Sequence, residues 1–476
     1  MSPAISPPAG SLFKTLLVLL PLLCVLAVRG EELPAAVRQT LAEWQSRKFG
    51  LMMHWGPYSQ WGVVESWSIC SEDEPWCSRN GVPYNDYVAA YEKLPTSFNP
   101  QRFRPEKWAA AAKAAGMRYV VFTTKHHDGF CMFDSPGTTY KITDPSCPFA
   151  TNPRADVTQA IFDAFRKDDF MIGAYFSKPD WHSPDYWAPE WAAPDRNVNY
   201  DPAKHPERWQ KFKDYTYAQI EALMTGYGRI DILWLDGGWV RPQSTITDEV
   251  RSWAGMKPWD QDIDMPGIAA MARGHQPGVL IVDRTVQGPF ENYRTPEQQV
   301  PDQPLDYPWE TCMTMGDQWS FKATDRCKPA RQLIHLLIEI VAKGGNFLLN
   351  IGPEPTGEWA DEAYARLEEI GAWMGVNGEA IYGSHPLPPF RKGKICYTQG
   401  GDGTRYAFYL ADEGEHEPPA ELLLPALSAG PGTKVTLLGY GPGLHWQAVK
   451  EGIRVNIPQE LRAGMPCAYA WTLAIH

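Results

Sequence analysis

"VTQAIFDAFRKDDFMIGAYFS" occupies residues 157–177, and its reading decides the fold. Residues 157–169 read as a helix, and the β-rich run "FMIGAYFS" (170–177) follows almost at once. The same alternation extends in both directions. "FGLMMHW" (49–55) reads as a strand, "PEKWAAAAKAAG" (105–116) as an Ala-rich helix with Gly116 placed to cap it, and "MRYVVFTTKHHDGF" (117–130) as a strand running into a polar loop. Helix 206–228 precedes strand 230–236, and a helical stretch precedes "GVLIVDR" (278–284). Helix 331–345 precedes "NFLLNIGP" (346–353), and helix 360–378 closes the series. Alternating strands and helices imply a parallel sheet. So many units, with no G-x-G-x-x-G after the first strand, favour a (β/α)8-like TIM barrel over a doubly wound dinucleotide fold.

The flanks complete the organisation. "LFKTLLVLLPLLCVLAVRG" (12–30) has Lys14 ahead of an apolar run from Leu16 to Val28, the pattern of a secretory signal peptide, with cleavage expected near Gly30. The barrel is expected over 31–385. "IYGSHPLPPF" (381–390) is a Pro-rich boundary, and 386–476 holds short β-rich runs expected to form an antiparallel β-sandwich.

Composition narrows the function. The 476 residues carry a formal charge of −12 with no basic stripe, so a nucleic-acid partner is not expected. Twenty Trp and 21 Tyr suit stacking on sugar faces, or simply fill a core. Outside the leader, eight of the nine cysteines remain, an even number that in an exported chain suggests disulfides. The expected pairs are Cys70–Cys77, Cys131–Cys147, Cys312–Cys327 and Cys396–Cys467. No N-x-S/T sequon occurs. The expected location is secreted or periplasmic rather than lysosomal, with no membrane association of the mature chain.

In a (β/α)8 barrel the site lies at the carboxyl ends of the strands. The polar residues there are His54, then Lys125, His126, His127 and Asp128, then Tyr175, Asp236, Arg284 and Asn350. Asp236 ends the strand "IDILWLD" after the apolar run 232–235, where a desolvated carboxylate is costly unless it is used or paired. Gly237 and Gly238 then let the chain turn and leave room above it. His126, His127 and Asp128 raise the question of a metal. Neighbouring residues on a strand face opposite ways, and no H-E-x-x-H occurs, so no metal and no cofactor are expected. Glycoside chemistry needs a second carboxylate, and 292–310 offers Glu297, Asp302, Asp306 and Glu310, each a loop acid by default.

Together "FGLMMHWGPYS", "TTKHHDGF", "GAYFS", "ILWLDGG", "VDR", "YRTPEQ" and "GGNFLLNIGP" resemble, in order and spacing over about 40–385, the α-L-fucosidases of glycoside hydrolase family 29. The resemblance implies an exo-acting retaining α-L-fucosidase acting on terminal α-linked fucose of glycans, on a (β/α)8-like barrel with a C-terminal β-sandwich. It implies Asp236 as nucleophile and Glu297 as acid/base, with Glu291 the alternative in the same loop. It implies a fucose pocket of His54, Glu65, His126, His127, Tyr175, Trp234 and Arg284. Two rival readings are a metal-dependent hydrolase using His126, His127 and Asp236, and a sugar-binding barrel without catalysis. Members of the family differ between broad specificity and restriction to branched α1,3/4-fucosylated glycans, and linkage and oligomeric state stay open.

Overall fold

The computed structural model describes residues 33–70, 76–192 and 195–476, so the expected leader at 1–30 lies outside the described residues. Seven strands form one wholly parallel sheet: β1 (Phe49–Met53), β2 (Tyr119–Lys125), β3 (Met171–Ser177), β4 (Ile232–Asp236), β5 (Leu280–Asp283), β6 (Glu310–Thr314) and β7 (Asn346–Asn350). Their order is β5-β4-β3-β2-β1-β7-β6. Every residue of β1, β2 and β3 is buried, as expected when a parallel sheet is covered on both faces.

The helix Val157–Lys167 shows how the covering works. Asp156 caps its start by accepting from the Gln159 amide at 3.0 Å, and Ile161, Phe162 and Phe165 are buried. Each such side chain contributes about 1.5–3 kcal/mol when fully buried. Inside the curl of the sheet the fit is tight. A Cβ on Gly50 of β1 would lie 2.3 Å from the Tyr119 ring, so only glycine fits there.

Two expectations need correction. Glu310, read as a solvated loop acid, is the first residue of β6 and is fully buried. The run "ETCMT" mixes one acid and two threonines and lacks the apolar signature that marks the other strands. The sheet also has seven strands, with β5 and β6 at its edges. Residues 290–298 lie between those edges. Asp283 N donates to Phe290 O at 2.8 Å and Asn292 N to Ile281 O at 2.9 Å on the β5 side. Glu310 N donates to Arg294 O at 2.8 Å and Gln298 N to Cys312 O at 3.0 Å on the β6 side.

Beyond residue 384 the strands are antiparallel. They form a five-stranded sheet of β8 (His385–Lys392), β9 (Ile395–Gln399), β10 (Arg405–Leu410), β12 (Val435–Leu437) and β15 (Ala470–Ile475). A three-stranded sheet contains β11 (Glu421–Pro425), β13 (Trp446–Val449) and β14 (Gly452–Asn456). Tyr397, Trp471 and Leu473 of the first share one buried cluster with Leu422, Leu424, Ile453 and Val455 of the second.

Three of the expected disulfides are absent, because Cys131, Cys147, Cys312, Cys327, Cys396 and Cys467 are thiols. Several point at main-chain carbonyls instead of at each other. Cys131 donates to Gly129 O at 3.5 Å, Cys147 to Phe98 O at 3.4 Å and Cys467 to Ala470 O at 3.4 Å. Cys70 and Cys77 flank residues 71–75, which lie outside the described residues. Among the described residues no helix is long and apolar enough to cross a membrane.

Candidate active site

A cleft of about 1180 Å³ opens at the carboxyl ends of the parallel strands, and Asp236 stands in it as the last residue of β4. Gly237 (φ +88°) turns the chain so that its own amide donates back to Asp236 Oδ1 at 2.8 Å. Arg284 Nη1 donates to the same oxygen at 3.1 Å, and the Tyr175 hydroxyl donates to Oδ2 at 2.7 Å. Burial alone would push this carboxyl up. The Arg284 charge, His127 and the two hydrogen bonds outweigh it and hold Asp236 well below the usual carboxylate range. The group is therefore an anion, aimed and already paired.

Three histidines surround it, and the hydrogen-bond network fixes the tautomer of two. Ser177 Oγ donates to Pro179 O at 2.6 Å, so in its 2.7 Å contact with His127 it accepts, and Nδ1 of His127 carries the proton. Asn350 donates its amide to Trp319 O at 2.7 Å and turns Oδ1 to His54 Nδ1 at 2.8 Å, so Nδ1 of His54 is protonated too. Both rings thus keep a bare Nε2. Burial pushes the imidazoles of His54 and His127 down to about 4, which keeps them neutral near pH 7. A neutral Nε2 accepts a hydrogen bond from a hydroxyl, and that is the chemistry a polyol ligand needs. His126 is held by Ser66 Oγ at 2.6 Å, and burial, then the neighbouring His127 and His54, press it well below its ordinary value.

The rings stack into a column. His126 lies on Tyr175 (centroids 5.6 Å, planes 10° apart), Tyr175 on Trp234 (5.2 Å, 23°), and the Arg284 guanidinium sits 5.2 Å from the Trp234 centroid. Trp234 is anchored from behind, donating to Glu310 Oε1 at 3.3 Å, and Tyr119 donates to Glu310 Oε2 at 2.7 Å. Burial pushes the Glu310 carboxyl up to about 7. Glu65 is 1 % exposed, lines the cleft and accepts from the Ser320 amide at 2.7 Å, and burial lifts it to about 7.

Two acids compete for the second carboxylate. Arg284 Nη2 donates to Glu297 Oε2, so a single guanidinium joins Glu297 to Asp236. The Glu297 side chain is 42 % exposed. Glu291 lines the same cleft, but its side chain is only 4 % exposed and accepts from the Thr285 amide at 2.9 Å. Burial pushes Glu291 up to about 7. The two catalytic and seven pocket candidates that the resemblance implies all line this one cleft. Of the strand-end polar residues, Lys125, Asp128 and Asn350 do not: Lys125 donates to Asp180 Oδ2 at 3.3 Å, Asp128 accepts from the Tyr91 hydroxyl at 2.7 Å, and Asn350 supports His54 from behind. Asp302 and Asp306 do not line it.

Sequence reasoning missed several neighbours. Trp319 lies 5.1 Å from His54 between ring centroids, and the Trp67 and Trp239 rings meet His127 edge-on at 5.3 and 5.2 Å. Trp319 follows the unrecognised β6, so no strand-end rule pointed to it. Ser66 and Ser177 carried a weak signal, as members of the same short motifs as Glu65 and Tyr175. His126 and His127, which alternation along a strand would turn apart, lie in the loop and face the same way. Both follow the end of β2, their centroids are 4.2 Å apart, and ligand atoms of His126, His127 and Asp236 lie within 4.8 Å of one another. Strand alternation does not govern residues beyond the strand.

The cleft can be set beside known proteins. Residues 31–379 match the alpha-L-fucosidase family model, and residues 390–476 match the alpha-L-fucosidase C-terminal domain. Alpha-L-fucosidase isoenzyme 1 from Paenibacillus thiaminolyticus superposes with a TM-score of 0.73 at 31% identity, covering 92% of this chain and 99% of that one. Tissue alpha-L-fucosidase of Homo sapiens is 28% identical over 467 residues, 93% of this chain and 90% of the relative. An alpha-L-fucosidase of glycoside hydrolase family 29 from Bacteroides thetaiotaomicron shares the fold at a TM-score of 0.70 and 23% identity, over 92% of this chain and 96% of that one. That structure is a trapped covalent intermediate in complex with 2-fluoro-fucosyl fluoride.

Proposed function

Because the chain belongs to the alpha-L-fucosidase family of glycoside hydrolases, we propose that it removes terminal α-linked L-fucose from glycans by a double displacement with retention. The observation that carries this reading is the pairing of Asp236 and Glu297 through Arg284. Asp236 is ionised and oriented, so it attacks the anomeric carbon and forms a glycosyl-enzyme. Glu297, the more exposed acid, protonates the departing oxygen and then takes a proton from the water that completes the reaction. His54 and His127 accept hydrogen bonds from ring hydroxyls through Nε2, and His126, Tyr175, Trp234 and Glu65 complete the pocket. The covalent intermediate of the Bacteroides thetaiotaomicron enzyme supports the two-step route.

The same reading takes the seven strands with the bridging segment 290–298 as a (β/α)8-like barrel, and the two antiparallel sheets as a β-sandwich. The basic and then apolar run at 14–28 supports export of the chain.

The clustering of His126, His127 and Asp236 favours one rival, a metal-dependent hydrolase. Against it, both oxygens of Asp236 are already engaged, one of them by a cation. The test is fucose release by the purified protein and by Asp236→Ala, from an aryl α-L-fucoside and from a branched fucosylated oligosaccharide. Release that falls by orders of magnitude in the variant supports the reading. No release from either substrate refutes it, and release that the variant leaves intact removes Asp236 from the role of nucleophile.

A further inference from the structure

Arg284 is aimed by the turn that carries it. Val286 N donates to Asp283 O at 3.0 Å, which closes a four-residue turn over 283–286 at the end of β5. The third residue of that turn, Thr285, has φ +63°. This left-handed conformation suits glycine or asparagine and strains a β-branched side chain. A strained residue persists only where its surroundings hold it.

Two buried side chains hold Thr285 from both sides. Glu291 Oε1 accepts from the Thr285 amide at 2.9 Å, and the Glu291 side chain is buried. Arg241, also buried, donates from Nη2 to Thr285 O at 2.6 Å and to Thr285 Oγ1 at 3.3 Å. Both partners are themselves fixed. Asp283 N donates to Phe290 O and Asn292 N to Ile281 O, so the main chain on either side of Glu291 is pinned to β5. Arg241 Nε donates to Gly238 O, in the segment that follows Asp236. A Cβ on Gly238 would lie 1.9 Å from Thr285 Oγ1, so the second glycine after Asp236 makes room for this turn.

We propose that Glu291 is a positioning residue for the reaction: it holds Thr285 in its strained turn, so that the Arg284 guanidinium spans Asp236 and Glu297. This rests on the fucosidase reading and extends it, giving the second acid of the loop a role other than proton transfer. All three guanidinium nitrogens are directed. Nε donates to Thr295 Oγ1 at 3.1 Å, Nη1 to Asp236 Oδ1 at 3.1 Å and Nη2 to Glu297 Oε2. A backbone rotation at Thr285 displaces the base of this side chain, and small displacements of reacting groups cost rate.

The test measures kcat/KM on an aryl α-L-fucoside. We expect Glu291→Ala to lose about tenfold, and Glu291→Gln, which keeps an oxygen for the Thr285 amide, to stay within about threefold of wild type. Added azide attacks the anomeric carbon of a glycosyl-enzyme without needing a base, so it should not restore Glu291→Ala. In an Arg284→Gln background, Glu291→Ala should cost no more than about twofold, because its effect runs through Arg284. A full loss in that background, rescue by azide, a Glu291→Gln as slow as Glu291→Ala, or no loss in Glu291→Ala would each overturn the positioning role. If Glu291→Ala does not fold, Glu291→Gln is set beside Glu297→Gln, which should fall about a hundredfold or more. A Glu291→Gln within about threefold of wild type then supports the role, and equal losses in the two overturn it. A wild type that releases no fucose overturns the fucosidase reading itself, and the role of Glu291 with it.

Discussion

Arg284 reaches Asp236 with Nη1, at 3.1 Å from Oδ1, and Glu297 with Nη2. One planar guanidinium thus sets the spacing of the two carboxylates and supplies the positive charge that keeps Asp236 ionised against its burial.

Arg284→Gln should therefore do two things. A charge-assisted hydrogen bond contributes about 1.5–3 kcal/mol, so kcat/KM for fucose release should fall about ten- to a hundredfold. The Asp236 carboxyl should rise, and so should the His54 and His127 imidazoles, which the same positive charge lowers, so the acid limb of the pH profile should move to higher pH. Initial rates from pH 3.5 to 8 check both effects. An unmoved acid limb would show that the Arg284 charge does not hold these groups down.

The histidines make a separate prediction about pH. His54 and His127 titrate near 4 in the fold, against 6.5 when unperturbed. Below that value Nε2 gains a proton and ceases to accept a hydrogen bond, so wild-type kcat/KM should hold to about pH 5 and fall toward pH 4. Because their values are depressed, the stability they contribute is present above pH 6.5 and is lost as pH falls toward 4. Labelled-histidine NMR titration checks the assignment, and two rings titrating at the ordinary value would contradict it.

Glu310 has the opposite sign. Its folded value, about 7, lies above the ordinary 4.5. The stability it contributes is full below pH 4.5 and is lost as pH rises through 7. Glu310→Gln keeps one acceptor oxygen for Trp234, turns its NH2 to the Tyr119 hydroxyl, which can accept instead of donate, and removes the buried charge. The variant should match wild type at pH 4.5 and exceed its Tm by several degrees at pH 8, as scanning calorimetry can measure.

Dialysis against a chelator should leave fucose release unchanged, because every role assigned above belongs to a side chain. Loss of activity with recovery on adding zinc would instead favour a metal held by His126, His127 and Asp236.

The sequence made the site more legible than the scaffold around it. Asp236 stood out because "ILWLD" (232–236) is apolar up to its carboxylate and two glycines follow. β6 stayed hidden because "ETCMT" has no apolar run, and Trp319 was lost with it. Segment 290–298 bridges two strands through scattered hydrogen bonds without a ladder, so no alternation could mark it. Cysteine spacing misled because it says nothing about which way each Sγ points. Burial of Glu310 and the tautomers of His54 and His127 arise from contacts across the fold, with Trp234, Ser177 and Asn350, and no local pattern encodes them.

The proposed mechanism turns on a covalent bond between Asp236 and fucose. Incubation with 2-deoxy-2-fluoro-fucosyl fluoride, followed by intact-mass measurement and peptide mapping, tests it most directly. One fluorofucosyl group per chain is expected, on the peptide that contains Asp236. An adduct on Glu297 or any other residue, or hydrolysis that proceeds with inversion and no adduct, would contradict it.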